Sequence, residues 1–272
     1  MAIITISREL AALGDETSHE LAKSLGYRFV DKKVLEDRIK SCGISGGKFK
    51  KYDERKPSFF ASLSQDRDDY LHYLKTAILA EAEHGNCVFS GRGASIVLGN
   101  IPAVFSVFLA ASMDIRIERV KSYFHCDEKR ARQIIEHSDR DREGFHRYFF
   151  DLDWKDPAHY GIALNTGIFS PAACSALVRE LINQTLTPET EERHTLRIKE
   201  MILGQRIKHH IIYDKGIPIR FLDTVVAPGT VTLYGVTQSQ ALVEAAVSAA
   251  REIGDVQVYS EIKLVQEYGI IA

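Results

Sequence analysis

Short apolar runs alternate along the chain with longer stretches whose apolar residues recur at helical spacing. Residues 2–6 are apolar or β-branched and predict a buried strand. Leu21, Ala22 and Leu25 share one face of a helix predicted over Thr17–Leu25, and Gly26 is a natural residue to end it. Tyr27–Val30 predicts a second strand, and Asp31 both closes it and opens a helix over 32–40. Residues 41–67 are polar, with Gly43, Gly46, Gly47, Lys48, Lys50 and Lys51, and read as a mobile connection. Tyr70, Leu74, Ala77 and Ile78 then mark a helix over Asp68–Glu83, stopped by Gly85-Asn86. Strands follow at Cys87–Ser90, Val104–Leu109 and Ile162–Thr166. Between the last two lie a helix from Asp114 and another beyond it, and Ser170-Pro171 caps a closing helix to about Leu186. Strands alternating with helices predict an α/β fold, a parallel sheet with helices on both faces.

Thr187–Glu192 breaks this rhythm, being polar and without periodicity, which sets domains at 1–186 and 196–272 with a linker at 187–195. Beyond it the pattern predicts a helix near 195–208, strands at 211–213, 217–226, 230–235 and 256–264, and a helix over 237–252. Val256, Val258, Ile262 and Leu264 alternate with polar neighbours as in a half-exposed strand. This is a small α+β module.

Composition changes the picture only by exclusion. The formal net charge of −2 gives no global reason to expect nucleic acid or an anionic membrane as partner, although local basic clusters remain able to hold phosphates. Cys42, Cys87, Cys126 and Cys174 lack metal-ligand or CxxC spacing and read as buried or idle thiols. The start, MAIITISREL, has no basic leader or cleavage site, and no stretch approaches the roughly 20 apolar residues of a membrane span. A cytoplasmic protein is the expectation.

Three places could carry chemistry. The loop Ser7–Thr17 joins a strand to a helix, as a phosphate cradle does, with Gly14 left as its glycine and Arg8 available as a cation. It has no lysine, and Asp15 and Glu16 sit where phosphate charge would come. An ordinary strand-to-helix loop, with both acids placed well against the helix dipole, is the alternative these residues favour by themselves. Gly91-Arg92-Gly93 would deliver Arg92 to the crevice beyond a strand's C-terminal end, where open α/β sheets bind ligands; a surface turn is the competing reading. Residues 114–148 are rich in arginine, including Arg116, Arg119, Arg140 and Arg142. Fixed guanidinium groups suit the spread negative charge of phosphoryl transfer, against the commoner reading of a solvated charged helix. The spacing of Ile115, Ile117 and Val120 orients Arg116 and Arg119 together.

Together these stretches resemble the cytidylate kinase-like family, P-loop nucleoside monophosphate kinase relatives, from about Ile3 to Leu186. The resemblance rests on Ile4–Glu9, on Leu21-Ala22 with Leu25-Gly26-Tyr27 and Asp31, and on Val88–Ala94. It continues through Phe108–Ala110, Arg116–Val120, Asp139–Arg142, Asp153–Pro157 and Leu164–Thr166. It implies a P-loop kinase-like sheet, ATP and a CMP-like monophosphate as substrates, and Mg²⁺ bridging the ATP phosphates. Ser7, Arg8 and Gly14 would then lie on the ATP side. Arg92 would contact the monophosphate, with Asp31 and Asp139 beside it, and Arg116, Arg119, Arg140 and Arg142 would form the lid arginines. No metal ligand is assigned. Where relatives carry a Gly-Ser-Gly-Gly-like loop this chain has Ala11-Ala12-Leu13-Gly14, and Tyr160-Gly161 replaces a usual Tyr-Asp. Each carboxylate of Asp15-Glu16 repels a nearby triphosphate by about 1 kcal/mol or more.

The C-terminal segment resembles a BON domain through Val231–Ser239, Ala241–Ala250 and Gly254–Val258. From Leu196 onward it holds eight basic and eight acidic residues, so membrane binding is not expected. A regulatory or oligomerising role is, through a second copy or a protein partner. Two functional readings follow: an ATP-dependent kinase of a CMP-like monophosphate, or a catalytically inactive, kinase-derived protein that binds a nucleotide or a partner.

Overall fold

The computed structural model describes residues 1–41, 65–99 and 101–265. Residues 42–64, most of the connection expected at 41–67, lie outside that set, as does Cys42. The chain divides into two compact units, Met1–Thr195 and Leu196–Ala272.

The first unit is built on five parallel strands in the order β2-β3-β1-β4-β5: β1 Ile3–Arg8, β2 Arg28–Val30, β3 Cys87–Ser90, β4 Val104–Ala110 and β5 Ile162–Asn165. Ile4 and Ile6 face one side of the sheet and pack with Val88, Val107 and Leu109 against helices α1, Gly14–Leu25, and α7, Pro171–Thr185. Ile3 and Thr5 point the other way and are also buried, at 0% and 1% exposure, so both faces are covered. The doubly covered parallel sheet read from the sequence is the observed one.

The helices begin and end where their caps dictate. Gly26 closes α1 with φ 66°, a left-handed conformation that glycine adopts without steric cost. The Asp31 carboxylate accepts from the Val34 amide at 2.9 Å and opens α2, Lys32–Ser41. Helix α3 spans Gln65–Glu83 and short α4 Ala94–Val97. Helix α5 spans Met113–Phe124, and α6 runs unbroken from Glu128 to Phe150.

Helix α8, Pro188–His209, occupies residues read as a non-periodic linker. Its start is nonetheless specified. Thr187 and Thr190 exchange hydrogen bonds, each hydroxyl accepting the other's amide at 3.2 and 2.7 Å, while Pro188 takes the first helical position.

The second unit is a three-stranded sheet, β6 Arg220–Ala227, β7 Thr230–Thr237 and β8 Gln257–Leu264, antiparallel then parallel, with α9 at Gln240–Ile253. Val231, Leu233, Ala246 and Ala250 form its core with Ile207 and Ile211. The strand expected at 211–213 is instead a single π-helical turn, His210–Asp214. Ile207 and Ile211, four residues apart, both bury completely on one helical face, and that contact carries the helix past the strand signal. Strand β6 begins at Arg220 rather than 217, beyond Pro218, which has no amide to give a ladder. Among the described residues, no helix is long and apolar enough to cross a membrane.

Candidate functional site

Strands β1 and β3 are neighbours in the sheet, with Ile6 opposite Ser90, so the turns that follow them emerge side by side at the strands' C-terminal ends. The Gly91 amide donates to the Ile6 carbonyl at 2.9 Å and locks the two exits together.

The turn after β3 is left-handed at three successive residues: Gly91 at φ 77°, Arg92 at 58° and Gly93 at 69°. A side chain on Gly93 would come within 2.5 Å of the Phe150 ring. Both glycines of the Gly-Arg-Gly pattern are thereby accounted for. Arg92 adopts a backbone conformation costing roughly 1–2 kcal/mol for an L residue. Its guanidinium, 4% exposed, is carried inward to 3.7 Å from Glu36 of α2. It lines a small hollow of about 10 Å³ with Ser7, Arg8, Arg142, His146 and Trp154. Three arginines from separate elements therefore line one hollow at the ends of β1 and β3.

The turn after β1 is built differently. Ala11 and Leu13 hold φ 61° and 52°, left-handed positions where the family pattern places glycine. Their neighbours fix them there. The Asp139 carboxylate accepts the Leu10 amide at 3.1 Å. Arg116 donates to the Leu10 carbonyl at 3.4 Å, and Arg119 to the Ala11 carbonyl at 2.9 Å and the Thr166 carbonyl at 2.6 Å. Arg8 lies across Gly14 so closely that an added Cβ would sit 2.3 Å from its Cγ. Its guanidinium then pairs with Asp15 at 3.2 Å, and the Ser90 hydroxyl reaches the same carboxylate at 3.3 Å.

Beneath this turn lies an ion network. Arg116 contacts Asp139 at 2.7 Å and Glu9 at 3.5 Å; Lys155 contacts Glu9 at 3.2 Å and Asp139 at 3.5 Å; Arg142 stands 3.6 Å from Asp139. Glu9 and Asp139 are thereby shared among three cations beside the hollow. Burial draws the pKa of Arg119 down, with the Glu16 carboxylate opposing, and an arginine so placed stays charged. Above the turn opens a cleft of about 930 Å³. Its walls present Arg8, Arg119 and Arg142 but also Glu9, Asp15, Glu16 and Glu118, a nearly balanced and slightly acidic lining.

The sequence-derived residues thus separate. Ser7, Arg8, Arg92 and Arg142 share the hollow, and Ser7 also lies 3.4 Å from the Ser95 hydroxyl. Arg116, Arg119 and Asp139 brace the β1 turn, and Gly14 gives Arg8 room. Asp31 caps α2. Arg140 is exposed on the solvent side of α6, away from the rest. Sequence reasoning gave no site role to Glu9, Trp154 or Lys155. The signal available was the Asp153–Pro157 motif, which sets Trp154 (1% exposed) against Phe108 and His146. Tyr160 holds it there, its hydroxyl donating to the Trp154 carbonyl at 2.7 Å, and burial raises that phenol's pKa, keeping it a donor. Cys87 and Cys174 are buried thiols, and burial pushes Cys87 up to about 12.

Comparison with known proteins adds the following. A model described as the cytidylate kinase-like family matches residues 3–168, and one described as the BON domain matches residues 201–266. A protein of Natronomonas pharaonis named cytidylate kinase is 24% identical over 194 residues, covering 71% of this chain and 95% of the relative. The crystal structure of an uncharacterized protein from Eubacterium ventriosum superposes with a TM-score of 0.55 at 21% identity, over 67% of this chain and 99% of that one. Shikimate kinase from Bacteroides thetaiotaomicron gives 0.40 at 15% identity, over 67% and 98%. At 21% identity, the likeness to the Eubacterium ventriosum structure shows the fold alone.

Proposed function

Because the chain belongs to the cytidylate kinase-like family and carries a BON domain, we propose that it binds a CMP-like nucleoside monophosphate through Arg92, Arg142 and Arg8, and that its own acidic side chains set the cleft beside the turn after β1 against a donor triphosphate. The observation carrying this reading is Arg8 lying over Gly14 and paired with Asp15 at 3.2 Å. In a phosphate cradle, backbone amides and a cation converge on the ligand's charge. Here a carboxylate of the protein already sits in the first helical turn with a guanidinium as its counter-ion.

The residues present do not fit Mg²⁺-ATP in the ordinary way. A triphosphate entering the cleft meets Asp15, Glu16 and Glu118, and the guanidinium groups of Arg116 and Arg119 are held by loop carbonyls and buried carboxylates. The acceptor side is better supplied. A phosphomonoester bears up to two negative charges, and Arg8, Arg92 and Arg142 all line the hollow it would face. On this reading the chain is a kinase-derived binding protein, and its neutral C-terminal unit serves regulation or assembly.

The competing reading, ATP-dependent transfer to the same monophosphate, draws on a different observation: Ala11 and Leu13 keep left-handed conformations of the kind that aim successive amides at an anion. One assay separates the two. Full-length protein at high concentration is incubated with Mg²⁺-ATP and CMP, and diphosphate product is followed. Binding of CMP without product is the expected result. Product at ordinary enzyme rates, abolished in Arg92→Ala, would replace our reading with the kinase one.

A further inference from the structure

Trp154, one of the residues lining the hollow at the ends of β1 and β3, carries a buried donor without a role so far. Trp154 is 1% exposed and forms part of the hollow's wall, and its buried Nε1–H has no hydrogen-bond partner among the described residues. Such a group is rare, because an indole N–H stripped of water and left unpaired costs about 1–3 kcal/mol. The surrounding packing holds it in that state. His146 stacks on the indole at 5.9 Å and 20°, Phe108 meets it edge-on at 5.8 Å, and Tyr160 fixes its backbone carbonyl. The ring is not free to turn toward solvent and find water there.

The chemistry of the missing partner follows from what the wall offers. Indole N–H donates only. The guanidinium groups of Arg92 and Arg142 donate only, and the Ser7 hydroxyl can donate as well. A volume of about 10 Å³ is near the least that holds one oxygen atom. The wall is rich in donors, with the His146 ring and the Ser7 hydroxyl as its groups able to accept, and room for one oxygen beside two guanidinium groups suits a negatively charged oxygen belonging to a larger group outside. We propose that the Nε1–H of Trp154 donates to one phosphoryl oxygen of the bound monoester, which makes this indole a specificity-determining donor of the site. The inference rests on the acceptor reading above and adds to it the residue that tells an oxyanion from a neutral or cationic ligand.

The chain has a single tryptophan, so the full-length ¹⁵N-labelled protein gives one indole N–H resonance, assigned without ambiguity. It is titrated with inorganic phosphate, CMP and cytidine, while calorimetry records CMP binding to the wild type and to Trp154→Phe. We expect phosphate and CMP to move the indole proton downfield, cytidine to leave it in place, and Trp154→Phe to bind CMP about tenfold more weakly. A shift with CMP but not with phosphate would also support the inference and assign the oxygen to a nucleotide-borne group. CMP binding with an unmoved indole resonance, or with undiminished affinity in a folded Trp154→Phe, would overturn it and leave the acceptor reading standing. An indole paired with a trapped water gives that same outcome. Absence of any CMP binding would remove the acceptor reading and this inference together. Should Trp154→Phe fail to fold, the wild-type resonance decides.

Discussion

The turns after β1 and β3 start two residues apart in register at the same end of the sheet, yet they treat charge in different ways. After β3, two glycines and an arginine hold three left-handed residues in a row and turn a buried guanidinium toward a hollow. After β1, left-handed conformations persist without glycine at Ala11 and Leu13, and the nearby arginines bond to the protein itself. A turn at a strand's end can set a guanidinium against a hollow or tie it to the carbonyls of the loop itself. Which of these happens depends on the side chains across the loop, far away in sequence.

The largest effect is expected from breaking what holds the β1 turn. Asp139→Ala removes the carboxylate shared by Arg116, Arg142, Lys155 and the Leu10 amide. Loss of one partner from a buried ion network costs about 3–5 kcal/mol, because the cations left behind are uncompensated. Urea unfolding should show a loss of that size, and a loss below about 1 kcal/mol would mean that the turn is held by something else.

On the other side, Arg92→Ala should weaken CMP binding about 10- to 100-fold, the worth of charged hydrogen bonds to a phosphate. Arg140→Ala, on the exposed side of α6, should change it less than about twofold. Equal effects of the two would erase the distinction between hollow and surface.

Ala11→Gly relieves a left-handed alanine and should stabilise the protein by about 1 kcal/mol, read as a higher thermal midpoint. A destabilised variant would show that the loop's shape owes nothing to strain. Asp15→Asn should cost less than about 1 kcal/mol of stability, since its carboxylate is 68% exposed and such pairs contribute little. Its use is diagnostic. With the built-in charge gone, ATP should bind several-fold more tightly than to the wild type, on the order of 1 kcal/mol of relieved repulsion.

Much of this contrast is written locally in the chain. Gly91-Arg92-Gly93 announces a left-handed turn at a strand end, and Asp31, Gly26 and Ser170-Pro171 mark helix boundaries that the structure keeps. The unequal fates of Arg140 and Arg142 were also legible. Ala131, Ile135, Asp139, Arg142, His146 and Phe149 step along α6 by three or four residues and set the inner face, and Arg140 falls outside it. The fate of Arg116 was not. Its partners Asp139 and Leu10 lie 23 and 106 residues away, and no spacing rule links them. From the sequence it read as a guanidinium for a ligand; the fold adds contacts by which it braces the turn. Trp154 was hidden for a related reason, since a buried aromatic reads as core until its N–H is seen to lack an acceptor.

Calorimetry of the full-length protein with CMP and with ATP, each with and without Mg²⁺, tests the central claim most directly. The account expects saturable CMP binding that Mg²⁺ does not require, and little or no ATP binding in either condition. ATP binding tighter than CMP and dependent on Mg²⁺ would show that the turn after β1 still cradles phosphates, and would contradict it.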